Sequence, residues 1–567
     1  MLIKNDYKPL MVEKKAKRLK DDNHISNVKV IVCLLAFISL FVALIARGVY
    51  LNKVIGSGIQ SEFEKRTTRT LLYKSLRGKI VDRNNTILAM SVPVNLLTIS
   101  PKYIEKPIPQ DKIIKLSKII GQDPNFITQK ITDKSINYFV FKNIYLTSTQ
   151  ADEIRALRIP TVSFEKKEER HYVHNNLFSH VIGFSNSNSI GLEGIELMQN
   201  KNLSGEDGLG FYVKDGRNDI IEEIQSNEKR IVKNGDDIKL TLSYNIQELA
   251  KNALERGINV TKAKAGGAVV LDAKTGEVLA MVSYPDYNPN QYKKYKVEIR
   301  SNFTLGNLFE PGSILKPLIV AKALDMKKIT PNQGFNTSPY VLAKKKITDT
   351  HNYPYLNVNG IIQKSSNVGM TRIVEKMDDG DLYDFYREIG FGRKMNMGLN
   401  GEQYAYLKKA KNWHKLDKAV MSFGYGLQTN MLNMASTYTI FTNDGKMIKP
   451  RVLIGQEKIE HQVISAKAAN TIRDMMISVT EKGGTGTIGA VEGFDVAAKT
   501  GTAKKLLNGS YNNNQYVTSF YGFAPAKEPK YIVGITLDQP QTTKYGGTAA
   551  GPVFKEIMSE LLTKNYN

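Results

Sequence analysis

The 567-residue sequence has little cysteine and few acidic residues, and each shortage narrows what the chain can be. Its single cysteine excludes an internal disulfide framework and any zinc module built from several cysteines. The seven histidines include no His-Glu-x-x-His pair, and no Gly-x-Ser-x-Gly motif occurs, so metalloprotease and α/β-hydrolase chemistry have no support. The 55 Asp and Glu residues face 79 Lys and Arg residues, a formal net charge of +24. This charge alone does not distinguish nucleic acid, an anionic membrane or an acidic polymer as the partner.

Length and composition predict a globular protein of several domains. Hydrophobic residues make up 41% and charged residues 24% of the sequence, which excludes wholesale disorder and collagen-like structure. At about 100–200 residues per domain, the chain is long enough for two to four domains. A single Gly-x-Gly-x-x-Gly match, at residues 484–489, lacks a preceding strand and is interpreted as a flexible loop. We therefore expect neither a metal nor an organic cofactor.

One long apolar run lies near the N-terminus. Residues 30–46 carry no charge and are bracketed by Lys29 and Arg47. At about 1.5 Å per residue this run is at the short limit for a bilayer span, and snorkelling of the flanking cations extends it. A buried core helix is the alternative, but such a helix normally carries a polar stripe, whereas only Cys33 and Ser39 interrupt this run. We predict a transmembrane anchor over residues 30–50.

The segment before the anchor sets its orientation. Residues 1–29 contain eight Lys or Arg and four Asp or Glu residues, and this basic excess predicts a cytoplasmic tail with everything downstream exported. No convincing small-x-small cleavage site follows the apolar run, so an uncleaved anchor is favoured over a signal peptide. Because the chain beyond the anchor is expected outside the cytoplasm, nucleic acid is excluded as a partner.

The exported part divides where glycine becomes frequent. Only five of the 43 glycines lie in residues 1–180. Residues 51–233 are predicted to form a first module of short strands and helices, with the clearest strands at 78–82 and 92–99. Residues 234–567 are predicted to form a second, larger domain.

The second domain has strand patterns at both of its ends. Near its start the sequence predicts a strand over 237–242, an amphipathic helix over 246–257 closed by Gly257, and a hairpin over 267–282 that turns at Gly276. Its end predicts strands over 516–524 and 531–537 and a helix over 552–562. Terminal strands with helical sequence between them indicate an α+β fold in which both ends join one antiparallel sheet flanked by helices.

A nucleophilic serine activated by a lysine one turn later is one chemistry the sequence allows, because positions i and i+3 share a helix face. Four Ser-x-x-Lys matches occur, beginning at Ser26, Ser163, Ser226 and Ser313. The first abuts the anchor, and the next two lie in charged sequence. Only Ser313 opens an apolar helix, after the loop-breaking residues 309–312, and burial there would lower the pKa of Lys316 far below its usual value of about 10.4.

Two further short motifs follow in order. Of three Ser-x-Asn matches, Ser365-Ser-Asn367 lies 52 residues after Ser313. Of two Lys-Thr-Gly matches, the first closes the predicted hairpin, whereas Lys499-Thr-Gly501 lies 186 residues after Ser313 and continues an apolar strand to Thr502. Each motif is weak alone, and the ordered set is specific.

This ordered set resembles the penicillin-binding proteins and serine β-lactamases, and most of all the division-type class B penicillin-binding proteins. The matching segments in the second domain are Phe309-Glu-Pro-Gly-Ser-Ile-Leu-Lys-Pro317, Gln363-Lys-Ser-Ser-Asn-Val-Gly369, Ser422-Phe-Gly-Tyr-Gly426, Ala498-Lys-Thr-Gly-Thr-Ala-Lys504 and Tyr545-Gly-Gly547. Arg77-Gly-Lys-Ile-Val-Asp-Arg83 and Gly191-Leu-Glu-Gly-Ile-Glu196 resemble the family's elongated N-terminal dimerisation or pedestal module. One departure is Arg170-His-Tyr-Val173, where the family more often has Arg-x-Tyr-Pro.

The resemblance implies a transpeptidase domain that transfers the acyl group of a D-Ala-D-Ala stem peptide to an amine of a second strand. It assigns the nucleophile to Ser313, its base to Lys316 and a proton relay to Ser365. Asn367 would orient Lys316 and the peptide. Lys499 would supply positive charge, while Thr500, Gly501 and Thr502 would bind the terminal carboxylate and β-lactams would acylate Ser313.

The resemblance also implies a place and partners in the cell. The place is the bacterial inner membrane, with the catalytic domain in the periplasm at the division site. The partners are a septal glycosyltransferase and other membrane proteins of the division machinery.

Four alternatives to a division-type transpeptidase stay open: an elongation-type class B enzyme, a serine β-lactamase, a membrane-bound β-lactam sensor and a silent scaffold. Length and the lack of extra C-terminal repeats favour the division type. A β-lactamase would normally be smaller, a sensor needs further spans, and a scaffold does not need the three motifs.

Overall fold

The computed structural model describes residues 27–55, 68–214, 220–224, 228–507 and 510–564. The chain divides into two compact units, Met1–Lys74 with Asp207–Val232 and Ser75–Glu206 with Lys233–Asn567. Most of the predicted cytoplasmic tail, residues 1–26, lies outside the described residues.

The first unit holds the apolar helix and a small sheet. The helix spans Asn27–Tyr50 and continues as a short π-helical segment over Leu51–Ile55. Every residue of Asn27–Tyr50 is exposed, and the length and composition are those of a membrane span. This confirms the predicted N-terminal apolar helix. The sheet consists of three antiparallel strands, with the second one central: Thr68–Tyr73, Gly208–Lys214 and Ile220–Ile224.

Residues 75–206 form the smaller part of the second unit. Its longest strand, Ile87–Ile99, covers the predicted strand 92–99 and pairs antiparallel with Val162–Tyr172 along its length. The other strands of this sheet are Ile80–Val81, Phe139–Leu146 and Ile238–Lys239. The helices are Pro101–Tyr103 (a 3-10 turn), Gln110–Ile120, Pro124–Thr132, Ser148–Ala156, Ser179–Ile182, Gly194–Met198 and Asn200–Leu203.

The three N-terminal sequence motifs meet in one buried ion cluster. The Glu196 carboxylate accepts hydrogen bonds from Arg77 Nε at 2.6 Å and from Arg170 Nε at 2.7 Å. Glu196 is 0% exposed, Arg77 4% and Arg170 8%. Arg77 also donates to the backbone oxygens of Ser189 and Glu196, so its guanidinium links several turns of chain. The motifs therefore form the polar centre of this part of the fold.

The departure at Val173 has a local structural basis. The Val173 N–H donates a hydrogen bond to the carbonyl oxygen of Leu88 at 3.0 Å. A proline there has no N–H and would lose this bond. In this chain the end of strand Val162–Tyr172 is thus tied to Ile87–Ile99 by one more backbone hydrogen bond.

A five-stranded antiparallel sheet is the centre of residues 233–567. Its strands are β1 (Ala265–Asp272), β2 (Val278–Tyr284), β3 (Ala497–Leu507), β4 (Ser510–Ala524) and β5 (Tyr531–Asp538). The order is β2-β1-β5-β4-β3, so the C-terminal β5 pairs with the hairpin β1–β2 and β3 lies at one edge. The predicted hairpin and the joining of both ends in one sheet are confirmed, as is the α+β class.

Helices cover both faces of this sheet. On one face, the helices Tyr244–Thr261 and Gly551–Thr563 share an apolar cluster with the sheet, which includes Leu254 and Phe554. The other face packs against the helices Lys316–Asp325 and Met431–Thr437 within the largest apolar cluster. The remaining helices are Val297–Arg300, Phe303–Gly306, Val358–Lys364, Asn367–Val374, Asp379–Glu388, Lys415–Met421, Thr439–Thr442, Ala466–Ile477 and Gly546–Ala549.

Four short strand pairs and several 3-10 turns complete this part of the unit. The short strands are Gly334–Asn336, Tyr340–Leu342, Lys345–Ile347, Tyr355–Asn357, Tyr406–Leu407, Leu427–Gln428, Lys446–Ile448 and Glu460–Gln462. The 3-10 turns are Pro289–Lys294, Gly312–Leu315, Ala410–Asn412 and Thr487–Gly489. Two of them, Gly312–Leu315 and Thr487–Gly489, lie at the functional site.

The predicted end of one helix at Gly257 is wrong. The helix Tyr244–Thr261 runs through Gly257 and ends at Lys262, which adopts a left-handed conformation. A Cβ atom at position 257 would lie 2.3 Å from Cγ2 of Val553. The glycine is therefore explained by the close approach of the helix Gly551–Thr563, a contact between residues far apart in the chain.

The strand predicted over residues 237–242 is shorter than expected. Only Ile238–Lys239 forms a ladder, parallel to Ile80–Val81. The next two backbone N–H groups donate to different segments: that of Leu240 to the carbonyl oxygen of Val81, and that of Thr241 to the carbonyl oxygen of Val452. The alternating pattern marks a buried segment that passes between two neighbours.

Candidate active site

Ser313 lies on a 3-10 turn that leads directly into the helix Lys316–Asp325. The turn spans Gly312–Leu315, and Pro317 occupies the first helical turn, where it is tolerated. A 3-10 turn has three residues per turn, so the side chains at i and i+3 are eclipsed. Ser313 and Lys316 thus project from the same side of the chain. The predicted apolar helix is buried, from Lys316 to Ala321 without interruption.

The turn is held by a glycine pair. Gly312 has φ +57°, and its N–H donates to the carbonyl oxygen of Gly424 at 3.1 Å. Gly424 has φ +84°, and a Cβ atom there would lie 2.2 Å from the Gly312 carbonyl oxygen. The segment Ser422-Phe-Gly-Tyr-Gly426 therefore buttresses the loop before Ser313, which only glycine at position 424 permits.

Lys316 is completely buried in a polar pocket. Its Nζ donates to the Ser365 carbonyl oxygen at 2.6 Å and to Asn367 Oδ1 at 2.7 Å, with a longer contact of 3.4 Å to Ser365 Oγ. Burial lowers the pKa of Lys316 to about 7, against a smaller opposing effect of the Asp349 charge. A neutral amine has two hydrogens, which the two short bonds use, and one lone pair that can accept a proton.

The second motif occupies the junction of two helices. Ser365 ends the helix Val358–Lys364 with φ +60°, and Ser366 caps the helix Asn367–Val374 by accepting the Gly369 N–H at 2.8 Å. The left-handed residue turns the chain so that both the carbonyl and the hydroxyl of Ser365 contact Lys316. Backbone strain of this kind at a non-glycine residue is typical of functional sites.

Asp349 holds this junction in place, and the sequence motifs did not indicate it. Its carboxylate accepts hydrogen bonds from the Ser366 hydroxyl, from the Asn367 N–H and from the Val368 N–H, the last at 3.0 Å. The carboxylate therefore lies at the N-terminus of the helix Asn367–Val374, where negative charge is stabilising. An aspartate 16 residues before the Ser-x-Asn motif has no sequence signal, because the contact depends on how the intervening strand Tyr355–Asn357 and helix Val358–Lys364 fold back on Asp349.

Replacing Asp349 with Asn is expected to lower the plateau rate of acylation by benzylpenicillin by about tenfold to a hundredfold. Losses of this size follow the removal of residues that orient the ligands of metal sites, and Asp349 orients Asn367 in the same way. The Asp349 charge favours the protonated form of Lys316, so its removal lowers the pKa of Lys316 further. The acidic limb of the rate profile should therefore move to lower pH while the plateau falls. Stopped-flow acylation between pH 5 and pH 9 measures both effects.

Asp378→Asn is the matched control, because that side chain is 79% exposed. An unchanged plateau in Asp349→Asn would contradict the positioning role of Asp349. A plateau that falls with an unshifted acidic limb would contradict its electrostatic effect on Lys316.

The third motif lies on β3, at the edge of the large sheet. Lys499 is 0% exposed, and its Nζ donates to Ser365 Oγ at 2.8 Å and to the Thr500 carbonyl oxygen at 3.2 Å. Burial and the nearby charge of Lys316 hold the pKa of Lys499 well below its usual value. Both buried amines contact Ser365 Oγ, and a proton on Lys316 disfavours a proton on Lys499.

The adjoining residues of β3 form the rim of the site. The hydroxyls of Thr500 and Thr485 are hydrogen-bonded at 2.9 Å. Thr502 Oγ1 accepts the N–H of Gly546 at 3.0 Å, so the Tyr545-Gly-Gly547 segment borders the same edge. Gly501 lies between the two threonines and is buried. Thr485 belongs to the segment 484–489 interpreted as a flexible loop, which here forms a 3-10 turn at Thr487–Gly489 against the site.

Glu310 is a further residue that the motifs left without a role. Its Oε1 accepts the Gly426 N–H at 2.7 Å and the Tyr511 hydroxyl at 2.9 Å. Burial raises the pKa of this carboxyl. The residue ties the loop before Ser313 to the start of β4 and to the glycine-rich segment 422–426.

The predicted site residues therefore come together, although they are spread over 190 positions of sequence. Lys316, Ser365, Asn367 and Lys499 share one hydrogen-bond network, and Ser313 lies one 3-10 turn before Lys316. The match at Ser163 lies on the strand Val162–Tyr172, where the exposed serine pairs its hydroxyl with that of Thr98 at 2.7 Å. The matches at Ser26 and Ser226 begin outside the described residues. Within the described ranges, no group of three or more His, Cys, Asp or Glu side chains has the arrangement of a metal site.

Two protein families match the chain in succession. Residues 73–240 match the penicillin-binding protein dimerisation domain, and residues 266–559 match the penicillin binding protein transpeptidase domain. The second match contains all the residues of the network.

Curated relatives are similar over almost the whole chain. The probable peptidoglycan D,D-transpeptidase PenA of Neisseria meningitidis is 40% identical over 562 residues, which cover 98% of this chain and 96% of the relative. The peptidoglycan D,D-transpeptidase FtsI of Escherichia coli is 31% identical over 528 residues, covering 92% and 89%. A crystal structure of a peptidoglycan synthetase from Bifidobacterium adolescentis superposes with a TM-score of 0.68 at 24% identity, over 88% of this chain and 96% of that one. This last likeness concerns the fold.

Proposed function

Since the chain belongs to the class B penicillin-binding proteins and is a peptidoglycan D,D-transpeptidase, we propose that it cross-links stem peptides through an acyl-enzyme on Ser313. The observation that carries this assignment is the buried network of Lys316, Ser365, Asn367 and Lys499 one turn from that serine. Burial lowers the pKa of Lys316 to about 7, so its amine can function as a base near neutral pH.

In the first step, Ser313 Oγ attacks the carbonyl carbon of the penultimate D-alanine. Lys316 takes the hydroxyl proton through the lone pair that its two short hydrogen bonds leave free. The tetrahedral intermediate collapses with cleavage of the amide C–N bond, which forms an ester on Ser313. The proton passes from Lys316 through the Ser365 hydroxyl to the leaving nitrogen, and D-alanine departs. Ser365 is suited to this relay because its hydroxyl contacts both Lys316 and Lys499.

The two lysines divide one positive charge according to what is bound. In the free protein, burial lowers the pKa of both amines, and the charge of Lys316 lowers the pKa of Lys499 further. The terminal carboxylate of a stem peptide, bound by the Thr500 and Thr502 hydroxyls beside Gly501, would favour the charged form of Lys499. A charged Lys499 in turn keeps Lys316 neutral, so binding of substrate prepares the base. The positive charge expected on Lys499 is then a property of the complex.

The oxyanion of the intermediate requires two hydrogen-bond donors. We assign these to the backbone N–H groups of Ser313 and Thr502, each worth about 3–4 kcal/mol of transition-state stabilisation. The edge position of β3 supports this assignment, since an edge strand directs half of its N–H groups away from the sheet. The second step reverses the first, with an amine of the acceptor strand losing its proton as the new amide forms and Ser313 regains its hydrogen.

We propose the division septum of the bacterial inner membrane as the place of action. Relatives named FtsI and the single apolar N-terminal helix support this proposal. Residues 1–29 would be cytoplasmic, 30–50 the anchor, and the dimerisation module 51–233 and transpeptidase domain 234–567 periplasmic. A septal glycosyltransferase and other division proteins would contact the anchor and the module.

Trypsin digestion after benzylpenicillin treatment tests the nucleophile. The full chain in detergent is expected to gain a stable penicilloyl adduct. Because the Lys316–Pro317 bond resists trypsin, the adduct should map to the peptide of residues 301–322, with fragmentation locating it at Ser313. An adduct at another serine would overturn the assignment. Continuous hydrolysis of penicillin without a persistent adduct would instead indicate a β-lactamase.

A further inference from the structure

A lysine-rich hairpin lies next to the second catalytic motif, and we propose that it binds the carboxylates of the peptidoglycan strand during cross-linking. The hairpin consists of Tyr340–Leu342 and Lys345–Ile347, paired antiparallel, and is called the lysine hairpin below. The inference rests on the proposed function, and it adds a contact for the polymer outside the network that reacts with the peptide end.

The base of the lysine hairpin is fastened to the helix that carries Asn367. The Tyr340 hydroxyl donates to Thr371 Oγ1 at 2.8 Å and to Glu375 at 3.2 Å. The guanidinium of Arg372 stacks on the Tyr340 ring, 3.8 Å from its centroid. The other strand ends at the buried Ile347 and leads straight into Thr348 and Asp349. Both ends of the hairpin are therefore fixed relative to the active site.

The tip of the hairpin holds a conformation that its residues rarely adopt. Ala343 and Lys344 form the two-residue turn with φ +46° and +66°. A turn of this kind normally takes asparagine and glycine. Non-glycine residues with strained backbone conformations cluster at ligand-binding sites, where the strained backbone holds a side chain in the position that binds the ligand. In this hairpin the residue with the strained backbone and a charged side chain is Lys344.

The tip is strongly and locally basic. Lys344, Lys345 and Lys346 are consecutive and exposed. Among the described residues, no carboxylate lies within ion-pairing distance of these three amines. Across the same region, Lys364 donates to the Gly483 carbonyl oxygen at 2.7 Å, so its charge also lacks a carboxylate partner there. Between residues 341 and 374 there is one acid, Asp349, and its carboxylate is engaged by the Ser-x-Asn junction.

The distance from the tip to the site suits a polymeric substrate. Asp349 follows Lys346 by three residues, and Asn367 Nδ2 donates to the Thr348 carbonyl oxygen at 3.4 Å. At about 3.3 Å per residue, the three amines lie within roughly 10–20 Å of the reacting centre. A small donor such as penicillin does not extend over this distance, whereas a polymer strand does. Each stem peptide carries carboxylates, which are the complementary charges.

The test compares a polymeric with a small substrate on the full chain in detergent. The variant is Lys344→Gln/Lys345→Gln/Lys346→Gln. With un-cross-linked peptidoglycan strands at low salt, its KM is expected to rise about tenfold, a size typical of electrostatic attraction, while kcat stays unchanged. The rate of acylation by benzylpenicillin should equal that of the wild type. Raising the salt concentration should remove the difference in KM, because exposed charges are screened.

Two further variants make the result specific. Lys409→Gln/Lys411→Gln/Lys415→Gln removes the same charge from three exposed lysines elsewhere and should leave KM unchanged. Replacement of the hairpin lysines by arginine should preserve the wild-type KM. An unchanged KM in the hairpin variant, or an equal rise in the control variant, overturns the proposal.

Two other outcomes would also overturn it. Slower acylation by benzylpenicillin would show that the hairpin acts by positioning Asp349. Weaker binding of the hairpin variant to phosphatidylglycerol vesicles with an unchanged KM would show that its partner is lipid. A wild-type chain that forms no penicilloyl adduct at all would instead contradict the proposed function, so the two failures are distinguishable.

Discussion

A Lys316→Met protein is expected to acylate at least about 1,000-fold more slowly than the wild type at pH 7, a loss typical of removing a general base. Methionine keeps the length and apolar character of the lysine side chain but has no basic nitrogen. The hydroxyl of Ser313 then has no group to take its proton, and the Ser365 carbonyl and Asn367 amide lose their shared donor. The rate of labelling by a fluorescent penicillin measures the effect, with Ser313→Ala setting the zero level.

Lys322→Met is the matched control for this substitution. Lys322 lies on the same helix, is only partly buried, and its Nζ is 3.4 Å from the Val463 carbonyl oxygen. The Lys322→Met protein should be acylated by the fluorescent penicillin at the wild-type rate. A Lys316→Met protein within tenfold of the wild type would show that another group is the base, with Lys499 as the first candidate because it also contacts Ser365 Oγ.

The wild-type rate should follow the titration of the same amine. Because the pKa of Lys316 is lowered to about 7 and only the neutral amine accepts a proton, acylation should rise with pH below 7 and level off above it. A rate that falls with rising pH through this range would contradict the direction of proton transfer.

The second large effect is expected far from the active site, at Glu196. A Glu196→Ala protein should lose about 3–5 kcal/mol of stability, because two buried guanidinium groups would face each other without a counter-ion. Glu196→Gln should lose less, since an amide oxygen still accepts one hydrogen bond. Chemical denaturation of the full chain in detergent, followed by circular dichroism, measures the change.

Glu165→Ala provides the comparison, since Glu165 is exposed on the strand that carries Arg170. It should unfold at the wild-type denaturant concentration. If Glu196→Ala were as stable as this control, the cluster of Arg77, Arg170 and Glu196 would not hold the module together.

Local patterns were sufficient to predict much of this fold. The hairpin β1–β2 is encoded by two apolar runs and a glycine with φ +70° at the turn, all within 20 residues. The turn before Ser313 combines a proline, a glycine and an apolar helix start, which are also local features. The conformation of such segments depends mainly on residues within the segment itself.

The sequence did not predict features that depend on contacts with a distant segment of the chain. Gly257 reads as a helix end, but Val553 from the far end of the chain requires the missing Cβ. The sequence motifs gave no role to Asp349 or Glu310, yet the first accepts hydrogen bonds at the Ser-x-Asn junction and the second ties the loop before Ser313 to Gly426 and Tyr511. The hydrogen-bond partners of both acids come from other segments of the chain, so the residues beside them in the sequence do not indicate these contacts.

The sequence by itself determined the family, the apolar N-terminal helix, the α+β class and the ordered motifs of Ser313, Ser365 and Lys499. These follow from residue types and spacings along the chain. Only the tertiary structure decided that Lys316 and Lys499 are both buried against one serine hydroxyl, and that Asp349 orients the junction between them. The physical reason is that a lysine becomes a base at neutral pH through loss of water, and burial is a property of the packed molecule.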